Sequence, residues 1–437
     1  MNTVPFKFPS KSKKLFILTM WYSKYLKIHP KKNNTVLELS GKVQKYDWGK
    51  KGHQSMVAEL YKNVHKDFEI ENGTPYAELW FGANVKAPSD IKNEGKNLLE
   101  LLKEKPEYLG EKIKSVFGKE KLPFLFKILS IEKALSIQVH PDKEMAKQLH
   151  SKFPDVYKDN NHKPEIAVAL TPFEALCGFR PYNEIKKFFE VIPELGDLIG
   201  ADLCEIFINS SEDVSKTALK NCFCSMMTKP QEVISRLLNN FLSRSKDLDV
   251  RERELQLCGL VERLNSQFPE DVGCFAVFFL NYLSLNPMQA VFLAANIPHA
   301  YLSGDCVECM ACSDNVVRAG LTPKFKDVET LCAILNYDGE SAHSKLFLPQ
   351  IENEYIHIFK PPVEDFAIVK IDIKQKMSEF ELIPRETASI FLVISGSAKL
   401  NKMHLISGSS LFIPAAECVK LKDLSNDFLA FQAVANV

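Results

Sequence analysis

Apolar and polar positions alternate with a period of two in several short stretches, most sharply at residues 136–142, SIQVHPD. Side chains two apart on a strand share a face, so Ser136, Gln138 and His140 point one way and Ile137 and Val139 the other. A strand with one wet face accounts for this pattern, and so does a strand lining a polar pocket. The same stretch follows LPFLFKILSI, a second strand separated from it by a polar turn at Glu132-Lys133. Beyond it DKEMAKQLH predicts a short helix capped by Asp142, and KPEIAVALTPFEALCGF predicts strand, turn and strand. Upstream, TVLELSGKVQKYDWGKKG reads as short strands with glycine turns, and residues 96–117 have helical spacing interrupted at Pro106.

From about residue 181 to 285 the period changes. NEIKKFFEVIPEL, PQEVISRLLNNFLSRS and RERELQLCGLVERLNSQF place apolar residues three and four apart, which predicts amphipathic helices. EDVGCFAVFFLNYLSL is more evenly apolar and reads as a buried helix. After Asn286-Pro287 strands return, and residues 346–437 are nearly all short strands around Gly-Ser turns, as in a double-sheet jelly roll. The expected fold is therefore mainly β with an α-helical insertion. A chain of 437 residues suits such a two- or three-domain plan.

Lys plus Arg equals Asp plus Glu at 55 each, so no overall field argues for nucleic acid or an acidic membrane surface. No apolar run approaches the ~20 residues of a spanning helix. Eleven cysteines without a small-domain framework fit a reducing compartment. Residues 1–35 carry eight Lys, no Arg and no acid. A disordered basic extension is expected there, with a targeting signal or a start upstream of true initiation at Met20 as alternatives.

Four strand-like stretches carry metal-type ligands: Gln138 and His140 in SIQVHPD, Glu165 in NHKPEIAVAL and His299 in NIPHAYLSGD. Two imidazoles, a carboxylate and an amide oxygen form a Zn²⁺ donor set of charge about −1, which leaves the ion positive enough to polarise a sugar oxygen. The pairs are common by chance, so spacing alone leaves hydrogen-bonded histidines equally in play. Cys306, Cys309 and Cys312 are expected to be buried thiols, because a period of three sends strand neighbours to opposite faces. Arg318 beside Gly320 is a candidate anion stabiliser, with Lys324 nearby, although a surface loop carrying two solvated cations accounts for the stretch more simply. Lys127, flanked by apolar residues in FLFKILSI, should face a polar cavity or snorkel to an edge.

Together VQKYDWGKKG, PYAELWFG, LPFLFKILSIEKALSIQVHPDKEMAKQLH, NHKPEIAVALTPFEALCGFRP, NIPHAYLSGDCVECMACSDNVVRAGLTPKF and LFIPAAECV resemble the type I mannose-6-phosphate isomerases from about Val36 to the C-terminus. The resemblance implies two cupin-type jelly-roll domains plus a helical domain. Residues 36–180 with 286–345 would form the catalytic zinc domain, 181–285 the helical domain and 346–437 a metal-free cupin domain. It implies one Zn²⁺ per chain on Gln138, His140, Glu165 and His299, with Arg318 as the catalytic residue. Ser136, Lys127, Lys163, Glu308 and Lys324 match substrate-pocket positions, with Lys127 and Ser136 as candidates to hold the phosphate. The implied reaction interconverts mannose 6-phosphate and fructose 6-phosphate through a cis-enediol, feeding GDP-mannose synthesis or mannose catabolism. Glu308, Lys163 and a water at the metal are candidates for carrying the proton. A cytoplasmic monomer acting on a small sugar phosphate, without nucleic acid or membrane partners, is expected.

One position departs from that pattern. Where the family reads Gly-Thr-His-Pro after Ala-Glu-Leu-Trp, this chain has Asn84 in place of the His. That His is a candidate for opening the sugar ring, and Asn transfers no proton. A catalytically weak homologue that binds zinc and sugar phosphate in a regulatory role is the alternative reading.

Overall fold

A computed structural model describes residues 35–437, so the basic extension expected at 1–35 lies almost wholly outside the described residues. The chain builds two β barrels of the cupin type, with helices inserted between strands of the first.

The first barrel is organised by one long strand, His299–Ala311. Its outer part, Gly304–Ala311, runs antiparallel to Phe124–Ile131 on one side, and within it Cys306–Met310 runs antiparallel to Glu165–Ala169 on the other. Its first residues pair instead with Phe173–Phe179, and His299 also pairs with Gln138. The strand thus passes from one sheet to the other. Gly304 makes the bend: its φ is +107°, and a Cβ there would lie 2.5 Å from the Pro172 carbonyl oxygen. Cys306 and Cys309 fall into different core clusters on opposite faces, as a period of three requires, and both are buried free thiols. Cys312 is free and half-buried.

The helical region runs from Tyr182 to Ala276. Helix Gln231–Arg244 buries Ile234, Leu237, Leu238 and Phe241, the spacing that marks one face of a helix. These side chains pack in the same cluster as Ile137 and Val139, so the insertion covers the apolar face of SIQVH. Two expectations are corrected here. RERELQLCGLVERLNSQF is two helices, Val250–Leu255 and Cys258–Gln267, broken where Leu257 adopts φ +52°. The evenly apolar stretch EDVGCFAVFFLNYLSL holds only a one-turn helix, Gly273–Ala276, before the strand Leu280–Leu285 pairs with Phe173–Phe179. The near-continuous apolar core at 272–280 carries no clear period, so it does not distinguish helix from strand. Residues Cys224 and Cys332, on helices Glu212–Met227 and Val328–Ile334, form a disulfide with Cα atoms 5.9 Å apart.

The second barrel packs an eight-stranded sheet on a four-stranded one. Strand Leu37–Ser40, placed by sequence with the first barrel, completes the second: it pairs with Ser410–Phe412 and with Asp90–Ile91. Its Ser410–Phe412 partner lies more than 300 residues further along the chain, a pairing that local pattern does not encode. Among the described residues no helix is long and apolar enough to cross a membrane.

Candidate active site

The polar face of SIQVH opens onto a cavity of about 850 Å³ in the first barrel. Strand register assembles its wall. Gln138 stands directly opposite His299 on one neighbour and opposite Arg318 on the other, so the three side chains share a row. A second row sets Glu308 opposite Lys127, and Met310, two residues further on, opposite Glu165. Lys127, Ser136, Gln138, Lys163, Glu165, Glu308, Arg318 and Lys324, eight of the ten residues singled out by sequence, line the cavity. The other two, His140 and His299, are buried against Glu165.

His140 Nε2 lies 3.4 Å from Glu165 Oε1, His299 Nε2 lies 3.6 Å from Glu165 Oε2, and the imidazole centroids are 5.0 Å apart. Each ring is oriented from behind. The Nδ1 atom of His140 is 2.7 Å from the Asn315 carbonyl oxygen, and that of His299 is 2.9 Å from the Ile297 carbonyl oxygen. Donation to these carbonyls places the proton on Nδ1 and turns the Nε2 lone pair inward. Burial, reinforced by Lys163, lowers His140 to about 4, so its imidazole is neutral at ordinary pH. His140 Nε2, His299 Nε2 and Glu165 Oε2 are buried without a hydrogen-bond partner among the described residues. Three ligating atoms that converge and lack partners fit a bound cation, since an orphaned buried polar atom otherwise costs ~1–3 kcal/mol. Zn²⁺ suits this donor set of imidazoles and carboxylate, with Gln138 able to add an amide oxygen.

Beside the metal residues sits a buried charge cluster. Lys127 Nζ is 3.0 Å from Glu308 Oε2 and 3.3 Å from Glu78 Oε2, and lies 5.2 Å from the Trp80 ring centroid. Burial opposes its charge, but Glu308 and Glu78 outweigh burial and keep it an ammonium ion. Burial pushes the Glu308 carboxyl above its ordinary value despite Lys127, with Glu165 and Glu78 adding to the shift. Lys163 is tied to Glu165 Oε1 at 3.1 Å. Arg318, by contrast, has no acidic partner among the described residues, and burial alone lowers its pKa. Lys324 likewise enters no ion pair there.

Sequence reading missed Glu78 and Tyr301, which also line the cavity. Both carried a signal: Glu78 is an acid in the buried strand Glu78–Phe81, and Tyr301 lies two residues beyond His299. Asn84 sits apart. Its Oδ1 accepts the Lys86 backbone N–H at 2.9 Å to close a turn, and it is not among the cavity-lining residues. The reading of a weak homologue, which rested on Asn84, is not favoured.

Comparison with known proteins agrees with this geometry. The model of the type I phosphomannose isomerase catalytic domain matches residues 36–182, and that of the type I helical insertion domain matches 195–280. Mannose-6-phosphate isomerase of Rattus norvegicus is 43% identical over 418 residues, covering 92% of this chain and 99% of that one. The Homo sapiens enzyme of that name is also 43% identical, over 91% of this chain and 98% of its own. A crystal structure of mannose 6-phosphate isomerase bound with zinc and yttrium superposes with a TM-score of 0.79 at 30% identity, covering 92% of this chain and all of that one. With both family domains matched and 92% of its length shared with such a relative, the chain is an isomerase that belongs to the type I phosphomannose isomerase family.

Proposed function

We propose that this chain interconverts mannose 6-phosphate and fructose 6-phosphate in a zinc-dependent reaction that passes through a cis-enediol. The observation that carries the reading is the convergence of three unpartnered ligating atoms beside a cavity whose wall also holds two cations without acidic partners. Gln138, His140, Glu165 and His299 would hold one Zn²⁺, which supplies Lewis-acid polarisation of the sugar oxygens when bound. Arg318 would stabilise the negative charge that grows on oxygen as the C2 proton leaves. Glu308 would take that proton and return it to C1, while O1 gains a proton and O2 loses one. Its raised pKa brings the carboxyl closer to working pH.

Lys127 would act through Glu308 and Glu78, whose charge it balances, while Lys324 and Ser136 meet the phosphate. The working form is proposed as a cytoplasmic monomer. Nine free cysteines, seven of them buried, accord with a reducing setting, whereas the Cys224–Cys332 disulfide runs against it. Its domains are proposed as the barrel of 36–180 with 286–345, the helices of 181–285 and the barrel of 346–437, with residues 37–40 and 280–285 exchanged as their pairing dictates.

A coupled assay that follows fructose 6-phosphate formed from mannose 6-phosphate tests the reading on purified, zinc-loaded protein. Turnover that disappears with a chelator and returns with Zn²⁺ is expected. No turnover by the loaded protein would overturn it.

A further inference from the structure

The cavity wall is not made by the barrel alone. The end of helix Cys258–Gln267 and the residues after it close one side, through Gln267, Phe268 and Asp271. Gln267 Oε1 accepts the Ala134 N–H at 3.0 Å, and Lys133 Nζ lies 4.3 Å from the Phe268 ring centroid. The strongest tie is Asp271, whose side chain is 10% exposed. Its Oδ1 accepts the backbone N–H groups of Gly273 at 2.7 Å and Leu321 at 2.6 Å. Its Oδ2 lies 3.4 Å from the Thr322 backbone nitrogen and 3.5 Å from Lys326 Nζ.

The segment it grips needs gripping. Leu321 adopts φ +53°, a left-handed conformation that a branched side chain does not hold unaided. Gly320 packs so tightly on Gly273 that a Cβ would lie 2.6 Å from the Gly273 Cα. Thr322 then passes the order along: its Oγ1 accepts the Lys324 backbone N–H at 3.1 Å. A continuous path of hydrogen bonds therefore runs from the Asp271 carboxylate to the backbone of Lys324.

We propose that Asp271 is a positioning residue for the isomerase site: a carboxylate from the helical insertion that fixes loop 320–326 so that Lys324 meets the substrate phosphate. This inference rests on the reading of Lys324 given above. It assigns the insertion a part in substrate binding rather than in chemistry. Fixing a flexible ammonium beforehand lowers the entropy lost on binding, so its absence should appear in KM before kcat.

Four variants test it in the coupled assay, with zinc content and thermal unfolding followed alongside: Asp271→Ala, Asp271→Asn, Lys324→Ala and the double variant Asp271→Ala/Lys324→Ala. Asp271→Ala should raise KM for mannose 6-phosphate by about tenfold with kcat changed less than about threefold. Asp271→Asn keeps a carbonyl oxygen for the Gly273 and Leu321 N–H groups but turns an NH₂ toward Thr322, so it should raise KM less than Asp271→Ala does. The double variant should be no worse than Lys324→Ala, since both act on one contact. Should Asp271→Ala fail to fold, Thr322→Val breaks the next link from outside the insertion and should raise KM in the same way. A KM unchanged in Asp271→Ala, or in Thr322→Val when that variant stands in, overturns the inference, and so do multiplicative effects in the double variant. If Lys324→Ala itself leaves KM unchanged, the assignment of Lys324 falls first and the positioning role with it.

Discussion

The two barrels of this chain are built from the same antiparallel alternation yet have opposite interiors. The second barrel is filled: Ile358, Val369, Ile371, Phe391, Leu411, Phe428 and their neighbours make an apolar core. Inside it the buried Gln432 Nε2 donates to the buried Ser389 Oγ at 2.8 Å. The first barrel turns Lys127, Glu165, His299 and Glu308 inward and keeps a cavity among them. Its histidine Nε2 atoms find no partner among the described residues. A filled barrel draws its stability from area removed from water, whereas a hollow one must compensate each buried charge. Where the compensation is incomplete, the gap points to the missing ligand.

The harshest way to break the contrast is to remove a donor from the hollow barrel. His140→Ala or His299→Ala should cost at least ~10³-fold in turnover, of the order seen when a group at the reacting centre is lost. Bound zinc measured by atomic absorption should fall with the activity. His357→Ala in the second barrel should change neither quantity, because that imidazole lies outside the apolar interior. Full activity in His299→Ala would remove the metal reading altogether.

The reciprocal experiment empties the filled barrel. Phe391 is fully buried, and Phe391→Ala should destabilise the protein by about 3–5 kcal/mol, the usual cost of such a cavity. Thermal unfolding would report the loss, while KM for mannose 6-phosphate and bound zinc should hold their values well below the transition. A variant that kept its stability but lost zinc would show the barrels to be energetically one body.

How far the sequence disclosed these interiors follows from the range of the interactions. SIQVHPD was legible because its alternation is local, and Lys127 because a lone cation among apolar neighbours must reach something polar. The row Gln138, His299, Arg318 depends on cross-strand register, which no single segment contains. Without the family resemblance, those residues would have remained three separate candidates. Glu78 was hidden for the same reason: its role exists only once its strand lies beside Lys127. Leu280–Leu285 misled because the apolar run that leads into it carries no period that distinguishes helix from strand. Asn84 drew attention as a departure, yet its side chain serves a turn.

The smallest expected effect concerns acid. The hollow barrel is joined to its helical insertion through Glu174, which accepts from Arg263 Nη1 at 2.6 Å and also from Ser303 and Tyr282. Burial pushes its carboxyl up, but these donors outweigh burial, and its pKa lies below the ordinary value of 4.5. A carboxyl with a lowered folded pKa contributes stability that is complete above its unfolded value and fades as pH falls through the folded one. The contribution should therefore be present at neutral pH and decline below about pH 4.5. Glu174→Gln keeps an acceptor but loses the charge, so it should cost about 0.5–1.5 kcal/mol near pH 7. The two melting curves should converge as the pH drops, because the parent then loses what the variant never had. Melting temperatures taken from pH 7 to 3.5 would decide it. A constant offset across that range would mean that the Glu174 charge plays no part and that packing alone seats the insertion on the hollow barrel.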